Sequence, residues 1–211
     1  MAVQAKPSIA NPAALGLGGF GLTTFVLSVH NAGWAPDIVW IGLALFYGGM
    51  AQFLAGMWEF RQGNTFGATA FSSYGAFWFS LAAFVLLDLF GKVPKTDLLA
   101  DLGWFLLAFA IFNTYMMFWS LRVSVAVFLV FLTLEITEIL LFWGFFAGNM
   151  TLIHWGGYIG VVTALVAWYT SAAIVANSTS KGTILGLGKP LWGEPEAEPT
   201  APRMAGSPVT R

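Results

Sequence analysis

The chain has 211 residues, of which 58% are hydrophobic and only 9% are Asp, Glu, Lys or Arg, with a net charge of −1. A soluble domain carries roughly 25% charged residues, so this composition excludes a soluble globule and marks an integral membrane protein. Cysteine is absent, which removes disulfides, thiolate metal sites and cysteine nucleophiles, and the balanced charge leaves no basic surface for nucleic acid.

Charge-free intervals set out the elements in chain order. Pro7 to Pro36 is 30 residues without a full charge, around a first span at about 13–30; Ile38 to Trp58 is 21, and Gln62 to Leu87 is 26. Leu102 to Leu121 is 20 residues, and a fifth apolar run opens at Val123 and is interrupted by Glu135 and Glu138 before Ala147. A sixth covers about 152–176. A helix needs about 20 apolar residues to cross a hydrocarbon layer about 30 Å thick, so six transmembrane helices are expected. Alternating ten-residue segments are missing, which argues against a β-barrel. The expected fold is therefore an all-α six-helix bundle. It has a cytoplasmic tail at 1–10, a transport domain at 11–176 and a Pro-rich, polar cytoplasmic tail at 177–211 that cannot order itself.

Six spans put both termini on one side. Placing them inside assigns Lys6, Arg61, Arg122, Lys181, Lys189, Arg203 and Arg211 to the cytoplasm and leaves Lys92 and Lys95 outside. The positive-inside rule selects that orientation, in a plasma or inner membrane. Glycines lie within the spans: Gly48 and Gly56 flank Gln52 at steps of four, and Gly156, Gly160, Ala164 and Ala167 form a stripe on the sixth helix. Small residues permit close helix contact in lipid, either within one bundle or at a seam between copies.

Asn11-Pro12-Ala13 matches the aquaporin triplet, but aquaporins need two such triplets and the chain has one. The longer string NPAALGLGGFGLTTFVLSVHNAG (Asn11–Gly33) instead resembles the acetate uptake transporter family, also described as GPR1/FUN34/YaaH or succinate–acetate permeases. The family opening is Asn-Pro-Ala-Pro-Leu-Gly-Leu, and here Ala14 replaces the second proline. FYGGMAQFLAGMWEF (Phe46–Phe60), GNTFGATAFSSYGAFW (Gly63–Trp78) and IHWGGYIG (Ile153–Gly160) follow in order. The resemblance implies a homohexamer, each protomer holding one narrow path for acetate and related monocarboxylates, succinate included. It also implies a hydrophobic constriction at Phe20, Tyr74 and Leu132, with Gln52, Asn113 and Ala167 at further positions along the path.

Physical chemistry adds to this. A path through lipid needs inward polar groups, each costly if unsatisfied, and Thr23, Thr24, Gln52 and Asn113 supply hydroxyls and amides rather than charges. Such a lining suits a small solute bound weakly enough to leave. Asn11 and Pro12 read as a helix start, whose free N–H groups also attract carboxylates. Glu135 and Glu138, three apart near the middle of helix five, each cost about 2.5–3.5 kcal/mol if ionised at bilayer depth. Two roles suit them: proton coupling, or a protomer-contact or local structural role. His30 and His154 read as interfacial anchors. No Ser/His/Asp set, metal-ligand cluster or phosphate loop is present, so neither an enzyme, a metal nor a cofactor is expected. The expectation is a channel or transporter, possible rivals being a pore for another small polar solute and a sensor or assembly protein without flux.

Overall fold

The computed structural model describes residues 9–36 and 38–193. It contains six helices long and apolar enough to cross a membrane: α1 Ala13–Asn31, α2 Val39–Gln62, α3 Thr65–Leu89, α4 Leu98–Ser120, α5 Val125–Ala147 and α6 Met150–Ser178. Over its described residues the chain is thus an all-helical, multi-pass membrane protein. Several helices run past the charge-free intervals, so Glu59, Arg61, Asp88 and Asp101 sit within helix ends.

Side-chain caps fix the starts of α3, α5 and α6. Asn64 Oδ1 accepts from the Gly67 N–H to open α3 (3.1 Å), Ser124 Oγ accepts from Val127 N–H to open α5 (3.2 Å), and Asn149 Oδ1 accepts from Thr151 and Leu152 at α6. Each such cap satisfies a backbone donor that would otherwise be orphaned in a low-dielectric setting. At α1 the N-cap is Pro12 rather than Asn11, and Asn11 Oδ1, one residue earlier, takes the Ala13 N–H at 2.9 Å.

The helices pack in a ring in chain order, closed by extensive contact between α1 and α6. Close approach on both sides of α1 depends on glycine. A Cβ on Gly19 would stand 2.7 Å from the Tyr47 carbonyl oxygen of α2, and one on Gly157 of α6 would stand 2.7 Å from the Asn31 carbonyl carbon. The glycine stripes therefore face other helices of the same chain. Gly48 meets Thr23 of α1, Gly56 meets Ser72 of α3, Gly156 meets Leu141 of α5 and Gly160 meets Ser28 of α1.

Gly48 and Gly56 do not form the single face that their spacing of eight suggested. Phe46–Ala51 is a π-helical segment inside α2. One residue more per turn rotates everything after it by about 100°. That rotation sends Gly56 toward α3 instead of α1.

α3 and α4 touch least of any neighbours in the ring, and aromatic rings fill the space between them. Phe77 lies 5.1 Å from Phe105 and 4.8 Å from Phe109, and Tyr74 lies 6.0 Å from Phe109 and 5.5 Å from Phe112, centroid to centroid. α4 is also the least buried helix.

The segment after α6 corrects the expectation of a tail disordered from residue 177. As far as Gly193 it is a strap folded back over the α4–α5 turn; residues 194–211 lie outside the described residues. Asn177 clasps it, its Nδ2 donating to Leu185 O while its Oδ1 accepts from Ile184 and Leu185 N–H. Tyr169 Oη donates to Gly186 O, Ala126 N–H donates to Leu187 O, and the Leu191 and Trp192 N–H groups donate to Leu121 O. Trp192 stacks on Trp119 at 5.9 Å with planes 9° apart, and the Arg122 guanidinium lies 4.9 Å from the Trp192 ring. The composition argument failed because the strap needs no core of its own: it borrows surface from α4, α5 and α6.

Replacing Asn177 by Ala removes three hydrogen bonds and should destabilise the fold by about 1–3 kcal/mol. The check is the thermal unfolding midpoint in detergent followed by tryptophan fluorescence; an unchanged midpoint contradicts a strap clasped by Asn177.

Candidate functional site

Two cavities enter the bundle from opposite ends. The terminal-side cavity has a volume of about 280 Å³ and polar walls from Asn11, Gln52, Gln62, Asn64, Ser124 and Thr170. The far-side cavity has a volume of about 270 Å³ and polar walls from Thr24, Ser28, His30, Asn31, Asp88, Thr137 and Glu138. Among the described residues Phe20, Tyr74 and Leu134 alone line both. All three are buried, and the Phe20 and Tyr74 rings meet edge to face at 5.8 Å. The interior is an hourglass whose waist is these three side chains.

Tyr74 is held from every side. Its ring contacts Phe20, Phe77, Phe109, Phe112 and Phe131. Its hydroxyl donates to Asn113 Oδ1 at 2.8 Å. The Asn113 amide nitrogen donates to Phe131 O at 3.0 Å and to Glu135 Oε2 at 2.6 Å. Glu135 Oε1 is 2.7 Å from Thr114 Oγ1. Glu138 Oε1 approaches the Tyr74 hydroxyl at 3.4 Å.

Among the described residues no Lys or Arg lines either cavity, and the terminal-side cavity has no ionisable side chain except Tyr74 at the waist. Four lining residues carry a buried polar atom with no hydrogen-bond partner among the described residues: Thr24 Oγ1, Gln52 Oε1, Trp78 Nε1 and Glu138 Oε2. Buried polar atoms are nearly always paired. Orphans on a cavity wall are therefore positions where a passing solute or water makes the missing bond.

The structure thus brings together Phe20, Tyr74, Gln52, Thr24 and Asn11. Leu132 is a correction. It is half-buried and lines neither cavity, and Leu134 occupies the waist in its place. Two residues along a helix turn by about 200°, so Leu132 and Leu134 point to opposite sides of α5. Asn113, fully buried, stands behind Tyr74 rather than in the path; Thr23 packs on Gly48; Ala167, also fully buried, belongs to the α6 core and to neither lining. Pro12 begins α1 but is not on a cavity wall, whereas Asn11 and Ala13 are.

Glu135 and Glu138 part company: Glu135 turns to α4, and Glu138 faces the far-side cavity. The structure also buries a third carboxylate, Glu59, whose Oε2 accepts from Asn64 Nδ2 at 2.8 Å and ties the end of α2 to the start of α3. The reading of the charges missed it because Glu59 follows the charge-free run directly. Leu134, Thr137 and Leu187 were missed as well. Leu134 lies four residues before Glu138, hence on the same helix face, and that spacing was the available signal.

Six apolar helices around two cavities that meet at an aromatic waist define a membrane channel or transporter for small solutes. The chain belongs to the GPR1/FUN34/yaaH family, whose model matches residues 1–185. It is 40% identical over 182 residues to the succinate-acetate/proton symporter SatP of Escherichia coli K12, covering 86% of this chain and 96% of that protein. It is 43% identical over 210 residues to acetate permease A of Emericella nidulans, covering 90% of this chain and 69% of that protein. The solved structure of the bacterial acetate channel SatP superposes with a TM-score of 0.82 at 40% identity, covering 86% of this chain and 100% of that one.

The waist network sets an order of stability. Asn113→Ala strands the Tyr74 hydroxyl, the Phe131 carbonyl and one Glu135 oxygen, and should cost about 3 kcal/mol. Tyr74→Phe removes one hydroxyl and should cost about 1 kcal/mol. Unfolding midpoints of the two variants measure the order, and equal values contradict it.

Proposed function

We propose that the chain conducts acetate and related small monocarboxylates across a plasma or inner membrane, through the waist between the two cavities. The observation that carries this reading is the pair of similar cavities sharing only Phe20, Tyr74 and Leu134. The names of its relatives, a succinate-acetate/proton symporter, an acetate permease and an acetate channel, supply the substrate class.

The walls suit that cargo. A short acid has a polar end and an apolar end. Asn11, Gln52 and Asn64 offer amides to the first, and Phe66, Phe71 and Val130 offer apolar surface to the second. The helix start at Asn11-Pro12 guides the carboxylate into the terminal-side cavity, with partly free backbone N–H groups behind Asn11. Among the described residues no Lys or Arg lines the path, which favours binding weak enough for release. The apolar waist favours a small or neutral solute over a hydrated ion by dewetting.

Orientation follows from charge. Arg61, Arg122, Lys181 and Lys189 lie at the terminal end and Lys92 and Lys95 at the far end, so the terminal side is cytoplasmic. A ring of six copies is the assembly that the family resemblance supports. Of the two α5 carboxylates, Glu138 is our candidate for proton coupling; facing a cavity supports it, while Glu135 is occupied by Asn113 and Thr114.

Purified protein in liposomes should take up labelled acetate faster than empty liposomes do, and unlabelled acetate, propionate and succinate should compete in that order. Uptake at the empty-liposome rate, with and without a pH gradient, contradicts the proposal; competition by an unrelated polar solute and not by acetate assigns another cargo. Leu134→Ala or Tyr74→Ala should widen the waist and raise propionate and butyrate uptake relative to acetate by about threefold to tenfold, the range set by about 1 kcal/mol of steric barrier. An unchanged profile in both variants places the constriction elsewhere.

A further inference from the structure

The hydroxyl of Tyr74 has one proton and two acceptors. Asn113 Oδ1 stands 2.8 Å away and Glu138 Oε1 stands 3.4 Å away. Asn113 cannot turn its amide round to relieve the conflict. Its nitrogen faces the Phe131 carbonyl at 3.0 Å, a group that can only accept, and Glu135 Oε2 at 2.6 Å. The oxygen of Asn113 must therefore face Tyr74, and the phenolic proton goes to it. The second contact is then a hydrogen bond only when Glu138 carries a proton and donates it to Tyr74. The donors form a one-way series in that state, from Glu138 to Tyr74 to Asn113 to Glu135.

We propose that Glu138 is a proton-operated positioning residue for the waist: its proton holds the Tyr74 side chain on Asn113, and its loss lets the carboxylate compete for the phenolic proton and pull Tyr74 out of place. This deepens the transport reading above and rests on it. Two observations besides the distances support the assignment. Glu138 lines the far-side cavity, and its Oε2 is buried without a partner, so water in that cavity can take up or return the proton. Glu135 lines neither cavity, and both its oxygens already have partners in Asn113 and Thr114.

The charged and titratable groups around Glu138 leave it as the one that couples to the waist. From α1 the cavity receives His30, which lies at the mouth with Nδ1 3.3 Å from Ala35 O. From α3 it receives Tyr74 and Asp88, and Asp88 is paired with Lys95 at 2.6 Å. From α5 the neighbour is Glu135, one helical turn away. α2, α4 and α6 contribute no charged side chain to this cavity. An ionised Glu138 therefore has no Lys or Arg beside it among the described residues, and it faces an incoming carboxylate with like charge as well as releasing Tyr74. Both effects lower flux when the far side is alkaline.

The test uses the full chain in liposomes at fixed internal pH, with acetate uptake measured as external pH rises from about 5 to about 8. Each variant is normalised to its own rate at the acid end. The chemistry of acetate itself is common to all variants. The wild-type rate should fall on the order of tenfold further than that of Glu138→Gln, whose amide donates to Tyr74 at every pH. Superimposable wild-type and Glu138→Gln profiles overturn the proposal. Glu135→Gln should keep the wild-type steepness, and a flat profile there instead moves the sensor to Glu135.

A readout independent of flux covers a variant that does not conduct. The infrared carbonyl band of a protonated carboxyl should lose intensity in Glu138→Gln near neutral pH and keep it in Glu135→Gln, with any contribution from the buried Glu59 common to all three proteins. A band unchanged by Glu138→Gln overturns the proposal. If wild-type uptake itself equals that of empty liposomes while the band behaves as stated, the transport reading fails and the hydrogen-bond series stands.

Discussion

The hydrogen bond from Tyr74 to Asn113 is the contact on which the interior depends. It joins α3 to α4, the two neighbouring helices whose backbones meet least, and through Glu135 and Phe131 it reaches α5. Inside lipid an unpaired hydroxyl or amide is costly, so the three helices are held at one spacing by groups that have nowhere else to go. The ring of Tyr74 then lies across the axis, with five phenylalanines around it. Without that bond the waist would be an apolar ring free to choose among rotamers, and the two cavities would have no fixed boundary.

The other half of the bundle is built on contact between backbones. α1 is gripped between α2 and α6 at glycines, and the π segment of α2 turns the helix after Gly48 so that Gln52 reaches the terminal-side cavity. Rigid glycine packing on one side and ring packing on the other give the path unlike walls. Phe20 comes from the first and Tyr74 from the second, and Leu134 of α5 completes the waist. The strap after α6 closes the terminal end, placing Leu187 in that cavity while its carbonyl caps a free N–H at the start of α5.

Much of this was legible in the sequence. Charge-free runs locate spans because a full charge in hydrocarbon is expensive, and the six helices follow them with ends extended by a few residues. Phe20, Tyr74, Gln52, Thr24 and Asn11, singled out from the sequence, all line one or both of the cavities. What stayed hidden depends on angle rather than position along the chain. Leu132 and Leu134 differ by about 200° around α5, and only the facing helix decides which one points inward. The π segment of α2 broke the regular spacing of Gly48 and Gly56 for the same reason. The strap was hidden because composition reports whether a segment can bury itself, not whether neighbouring helices offer it a surface. Glu135 and Glu138 were visible as a pair, yet their division of labour rests on Asn113 lying across from one of them.

The absence of native cysteine allows one direct measurement of where the path runs. Single cysteines placed at 134 and at 132 would be treated with a small, charged, water-soluble thiol reagent while acetate uptake into liposomes is recorded. A path through Phe20, Tyr74 and Leu134 predicts that modification at 134 blocks uptake and modification at 132 leaves it unchanged. Block at 132 with uptake preserved after confirmed modification at 134 would contradict the account.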